Sequence, residues 1–127
     1  MAGGVGASDG VLSLPDSVRV HVYTQPTDMR KGFYGLAAIV EEMGHRVLDG
    51  HLFVFLSRRR DRAKVLWWAR GGYCLFYKRL ERGRFPRPEA NQDGRLQIDA
   101  GQLSMLLDGI DFSQVPVPAR WKPKTST

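Results

Sequence analysis

Val18, Val20 and Val22 alternate with Arg19, His21 and Tyr23, the pattern of a strand with one buried face. A polar loop, Thr24 to Gly32, follows, and Thr27 or Asp28 is suited to cap a helix start. Phe33, Leu36, Ala37, Val40 and Met43 then recur at helical spacing and predict one apolar helix face, ended by Gly44. Leu52–Leu56 is apolar at every position and predicts a strand covered on both sides. Ala63–Arg70 and Tyr73–Leu80 flank Gly71-Gly72, so they read as a hairpin, because both positions of a tight hairpin turn need positive φ. Arg95–Ile98 predicts a further short strand. Asp99 predicts the cap of a second helix with a face of Leu103, Leu106, Leu107 and Ile110.

These elements predict an α+β domain: a mostly antiparallel sheet of four to five strands with a central Gly-Gly hairpin, packed against two helices. We assign it to residues 14–113. Residues 1–13 are small and Gly-rich and residues 114–127 are Pro-rich and basic; both read as tails.

Charge changes the picture more than composition does. An apolar fraction of 43% and a charged fraction of 25% are ordinary for a globular chain. The net charge of +6, however, is concentrated in residues 57–88, where eleven bases meet only Asp61 and Glu81. Trp67, Trp68, Tyr73, Phe76, Tyr77 and Phe85 are interleaved with them. Concentrated cation with flat rings suits nucleic acid. Cys74 is the single cysteine, which excludes an internal disulfide and fits a reducing cytoplasm. No apolar run approaches the roughly 20 residues of a membrane-spanning helix, and the first residues have no secretory pattern.

A turn at Gly71-Gly72 sorts the hairpin into two faces. Ala63, Val65, Trp67, Ala69, Cys74, Phe76, Lys78 and Leu80 form a core face. Lys64, Leu66, Trp68, Arg70, Tyr73, Leu75, Tyr77 and Arg79 form a face of rings and cations, with Lys64 opposite Arg79. Paired like charges disfavour the empty sheet and favour an anion between them. We expect Arg58, Arg59, Arg60, Arg62, Lys64, Arg70, Lys78, Arg79, Arg82 and Arg84 to contact phosphate. Trp68, Tyr73 and Tyr77 would stack on bases, provided that no helix covers them.

Catalytic patterns are absent from the sequence. The acids are few and scattered, whereas two-metal strand transfer needs converging carboxylates. His21, His45 and His51 lack ligand spacing, and no phosphate-cradling Gly loop precedes a helix. We expect no metal, no cofactor and no enzymatic activity. Metal-free RNA cleavage by basic side chains is the alternative that needs least machinery.

Several runs are specific enough to compare with a family. They are Gln25-Pro-Thr-Asp-Met-Arg-Lys-Gly-Phe33, Gly35-Leu-Ala-Ala38, Gly50-His-Leu-Phe-Val-Phe55, Arg58-Arg-Arg-Asp-Arg62 and Lys64-Val-Leu-Trp-Trp68. Cys74-Leu-Phe-Tyr-Lys-Arg-Leu-Glu-Arg-Gly-Arg-Phe85 and Gln102-Leu-Ser-Met-Leu-Leu-Asp-Gly-Ile110 complete the set. With these, the chain resembles the TnpB-type accessory proteins, second open reading frame products, of the insertion sequence 66 family of bacterial transposable elements. The resemblance implies a role in DNA transposition beside a separate transposase, and it supplies no catalytic mechanism. It departs at Ala69, where the family often has an acid, so the hairpin tip here is more basic. The reading is a nucleic-acid-binding accessory factor, with DNA favoured over RNA. A transposase-docking adaptor and a small metal-free ribonuclease stand as alternatives.

Overall fold

The structure, a computed structural model, describes residues 17–87, 89–90 and 96–108. Both expected tails lie outside these residues. Five strands form one sheet: β1 (Val20–Val22), β2 (Leu52–Leu56), β3 (Arg62–Ala69), β4 (Gly72–Arg79) and β5 (Leu96–Ile98). Their spatial order is β4-β3-β2-β1-β5, so β2 is central, as its unbroken apolar run requires. Helix α1 (Phe33–Glu42) connects β1 to β2, which pair in parallel; the other three pairings are antiparallel. Helix α2 (Ala100–Leu107) follows β5. The result is the expected α+β fold with a mixed sheet.

The sheet is covered on both faces, which period-2 alternation makes possible. On one face Leu36, Ile39 and Val40 of α1 pack with Val47, Phe53, Phe55 and Leu66. On the other, Leu103, Leu106 and Leu107 of α2 pack with Val20, Val22, Val54, Val65 and Phe85. Each such side chain taken out of water contributes roughly 1.5–3 kcal/mol before entropy is counted.

The helix ends show where local signals decide. Asp99 accepts from the Gln102 backbone N–H at 2.7 Å and the Gln102 side chain accepts from the Asp99 N–H at 3.0 Å, a reciprocal cap on α2. Gly44, at φ +87°, ends α1 as expected. Neither Thr27 nor Asp28 caps α1, however. The N-cap is Gly32, without a side-chain hydrogen bond, and Asp28 instead accepts from the backbone N–H of Arg30. The expected second-helix residue Ile110 lies outside the described residues.

The hairpin forms between the expected strands, but its turn lies one residue earlier than expected. Ala69 pairs with Gly72, so Arg70 and Gly71 are the turn, at φ +54° and +81°. Two positive φ values match the twist of the flanking strands. The shift moves each partner by two positions. Lys64 therefore faces Tyr77, not Arg79, and Arg79 faces Arg62. A two-residue shift preserves which face each side chain occupies, so the predicted sorting into faces survives.

Candidate nucleic-acid interface

The Arg58–Arg62 segment is a tight connection between β2 and β3. Ser57 organises it: its N–H donates to the Arg62 carbonyl at 3.0 Å, and its carbonyl accepts from the Arg60 N–H at 2.9 Å. The Ser57 hydroxyl donates to Asp61 Oδ1 and accepts from the Arg62 N–H, both at 3.1 Å. Burial opposes ionisation of Asp61, but the Ser57 hydrogen bond, a backbone N–H and the Arg62 and Arg59 charges outweigh it. The carboxyl is held below its ordinary value. Arg58 and Arg59 are exposed. Arg60 has φ +59°, unusual for a residue with a side chain.

A second basic segment is tied to this loop. Phe85 is fully buried in the α2-side core and anchors residues 80–87. The Phe85 N–H donates to the Arg60 carbonyl at 2.6 Å, and Arg60 Nη1 donates to the Phe85 carbonyl at 2.9 Å. The Leu80 N–H donates to the Asp61 carbonyl at 2.8 Å. One buried ring thus holds Arg82, Arg84 and Arg87 beside Arg58, Arg59, Arg60, Arg62 and Arg79. Eight arginines face two carboxylates, Asp61 and Glu81, at one end of the sheet. Glu81 makes only a loose, solvated pair with Arg79 at 3.9 Å. Arg30 is already neutralised by a bidentate pair with Asp28, which holds that carboxyl far below the usual range.

Five expected contacts belong to the fold or to another place. Lys64 is 7% exposed, and its Nζ donates to the carbonyls of Met29 and Lys31, each at 2.8 Å. It fixes the loop before α1 and lies 4.9 Å over the Tyr77 ring. Trp68 and Tyr73 pack half-buried against the α1-side core, edge to face at 5.1 Å, and Phe33 and Tyr34 close on Tyr73. α1 therefore covers the face proposed for stacking, and only Tyr77, at 50%, keeps substantial exposure. Lys78 Nζ donates to the Leu107 carbonyl at 2.7 Å, where a cation satisfies the end of α2. Arg70 is exposed at the hairpin tip. The tip lies roughly 23 Å from the arginine cluster, at about 3.3 Å per strand residue.

Two features are invisible in the sequence. The loops leaving the carboxyl ends of β1 and β2 enclose a cleft of about 190 Å³, lined by Thr24, Gln25, Ser57, Arg58, Arg60 and Arg87 among others. Arg87 was not among the expected contacts. At the other end of the same strands three histidines distant in sequence converge: His21 stacks on His45 at 4.1 Å and meets His51 edge-on at 5.6 Å. His51 Nδ1 accepts from the Arg19 N–H at 3.0 Å. Among the described residues, no group of three or more His, Cys, Asp or Glu is placed to hold a metal ion. Nor, among them, is any helix long and apolar enough to cross a membrane.

Known proteins bear on this site. The family described as IS66 Orf2 like protein matches residues 18–116, which contain both basic segments. The chain is 46% identical over 114 residues to the uncharacterized protein y4hO of Sinorhizobium fredii (strain NBRC 101917 / NGR234), covering 89% of this chain and 96% of that protein. It is 37% identical over 102 residues to the uncharacterized protein y4jC of the same strain, covering 77% and 84%. No solved structure is significantly similar. The runs that tie Phe85 to Arg60 and order the Arg58–Arg62 loop all fall within the matched region, and the chain belongs to the IS66 Orf2-like family, the accessory proteins of IS66 transposition.

Proposed function

We propose that this protein is a non-catalytic nucleic-acid-binding factor that works beside the element's separate transposase in the reducing cytoplasm. The observation that supports this most is the convergence of Arg58–Arg62 with Arg79–Arg87 at one end of the sheet. Like charges gathered by the fold repel one another unless a polyanion lies against them. Guanidinium groups suit phosphate because they offer paired donors in a plane. Two of the three expected stacking rings, Trp68 and Tyr73, are half-buried against the α1-side core, so the interface reads backbone charge more than bases.

A gel-shift panel of element-end duplex, unrelated duplex, single strand and RNA tests the proposal. Binding at low salt that is lost on neutralising Arg58, Arg59, Arg82 and Arg84 agrees with it. No binding to any of the four, with capture of purified transposase through the same arginines, establishes the docking adaptor instead.

A further inference from the structure

The cleft between the β1 and β2 exit loops differs in chemistry from the exposed basic surface around it. Three guanidinium-bearing residues, Arg58, Arg60 and Arg87, line it, and no Asp or Glu does. Thr24, Gln25 and Ser57 add polar residues to the lining. It opens at the carboxyl ends of β1 and β2, the parallel pair of the described sheet. Arg60 is set in advance: its backbone is left-handed, and its guanidinium is held on the Phe85 carbonyl at 2.9 Å. Strained backbone that persists beside a cleft is a mark of a functional site.

Size and charge narrow the ligand. At about 190 Å³ the cleft is below the range for drug-sized ligands, roughly 300–1,000 Å³. It suits one phosphate with part of its sugar. Three cationic side chains without a carboxylate match a dianion better than a monoanion, and a phosphate monoester carries about −1.5 to −2 at neutral pH where an internal diester carries −1. We propose that the cleft is a subsite for the terminal phosphomonoester of a nucleic-acid strand. Arg58, Arg60 and Arg87 grip its oxygens, and Thr24 adds a hydroxyl donor. This rests on the nucleic-acid reading above and adds to it a preference for strand ends.

Fluorescence anisotropy with the full chain tests it. The probes are a 5′-phosphorylated hexanucleotide, its 5′-hydroxyl form, and a 5′-hydroxyl heptanucleotide that carries the same number of phosphates, all of them as diesters. The 5′-phosphate is expected to tighten binding about tenfold over both hydroxyl probes, the effect of one charge-assisted hydrogen bond. The ratio should fall to one in the Arg58→Gln, Arg87→Gln double variant, whose side chains are exposed. Equal affinity for the phosphorylated hexamer and the hydroxyl heptamer overturns the subsite and leaves the wider interface standing. If none of the three oligonucleotides binds but a nucleoside 5′-monophosphate raises the melting temperature of the wild type and not of the double variant, the phosphomonoester chemistry is upheld. The source is then a free nucleotide, and the interface falls.

Discussion

Arg62 lies directly across the β3–β4 ladder from Arg79. Opposed like charges at that spacing destabilise a sheet by a few tenths of a kcal/mol when solvated. Such a pair is tolerated where a bound anion relieves it. Arg79→Gln should therefore leave the melting temperature at low salt unchanged or raise it slightly, since the 3.9 Å contact with Glu81 is exposed and contributes little. The same change should weaken nucleic-acid binding severalfold, with about one unit lost from the salt slope. A drop in stability with unchanged binding would make the pair structural.

Lys64 should behave in the opposite way. Lys64→Met removes two charge-assisted bonds to the Met29 and Lys31 carbonyls and leaves those acceptors without their partner. We expect about 1–3 kcal/mol of lost stability in urea unfolding. Affinity per folded molecule should stay within about twofold, since the ammonium is buried away from any ligand. Lost affinity at full stability would return Lys64 to the phosphate contacts.

At the hairpin tip, Arg70 occupies a left-handed conformation that suits Asn or Gly better. Arg70→Asn should stabilise the protein by roughly 0.5–1 kcal/mol. Because the tip is far from the arginine cluster, oligonucleotide affinity should hardly change. A large loss of affinity would show that the polyanion runs the length of the hairpin.

How much of this could be read from the sequence depended on how local each determinant is. Leu52–Leu56 announced a central strand because every side chain is apolar, and Asp99 announced a helix start because its cap partner is three residues away. The turn was misplaced because Gly71-Gly72 offers two permissive residues, whereas the fold puts Arg70 at positive φ and keeps Gly72 in the ladder. Both basic segments were legible as charge. Their meeting depends on Phe85 reaching Arg60, 25 residues away, and nothing local signals that. Lys64, Trp68 and Tyr73 looked like surface chemistry because no local pattern shows that α1 and the loop before it cover their face. The histidine trio and the cleft likewise exist only once β1 and β2 lie side by side.

Acid should loosen the arginine loop. The Asp61 carboxyl is held below its ordinary value in the folded chain, so its contribution is fully present above the unfolded value near pH 4. It is lost as pH falls through the lower folded value. Asp61→Asn should therefore lower the melting temperature at pH 7, and the deficit against wild type should shrink between pH 5 and pH 3. A deficit constant across that range would mean that the Ser57–Asp61 contact does not depend on ionisation.

The central claim is that the fold gathers arginines to neutralise a phosphate backbone, and salt dependence tests this most directly. Equilibrium binding of the full chain to element-end duplex, followed across salt concentration, should give a log–log slope of roughly −4.5 for five neutralised phosphates. The slope should become shallower by about one for each phosphate contact removed among Arg58, Arg59, Arg82 and Arg84. No binding at low salt, or a slope near zero that these substitutions leave unchanged, would contradict the account.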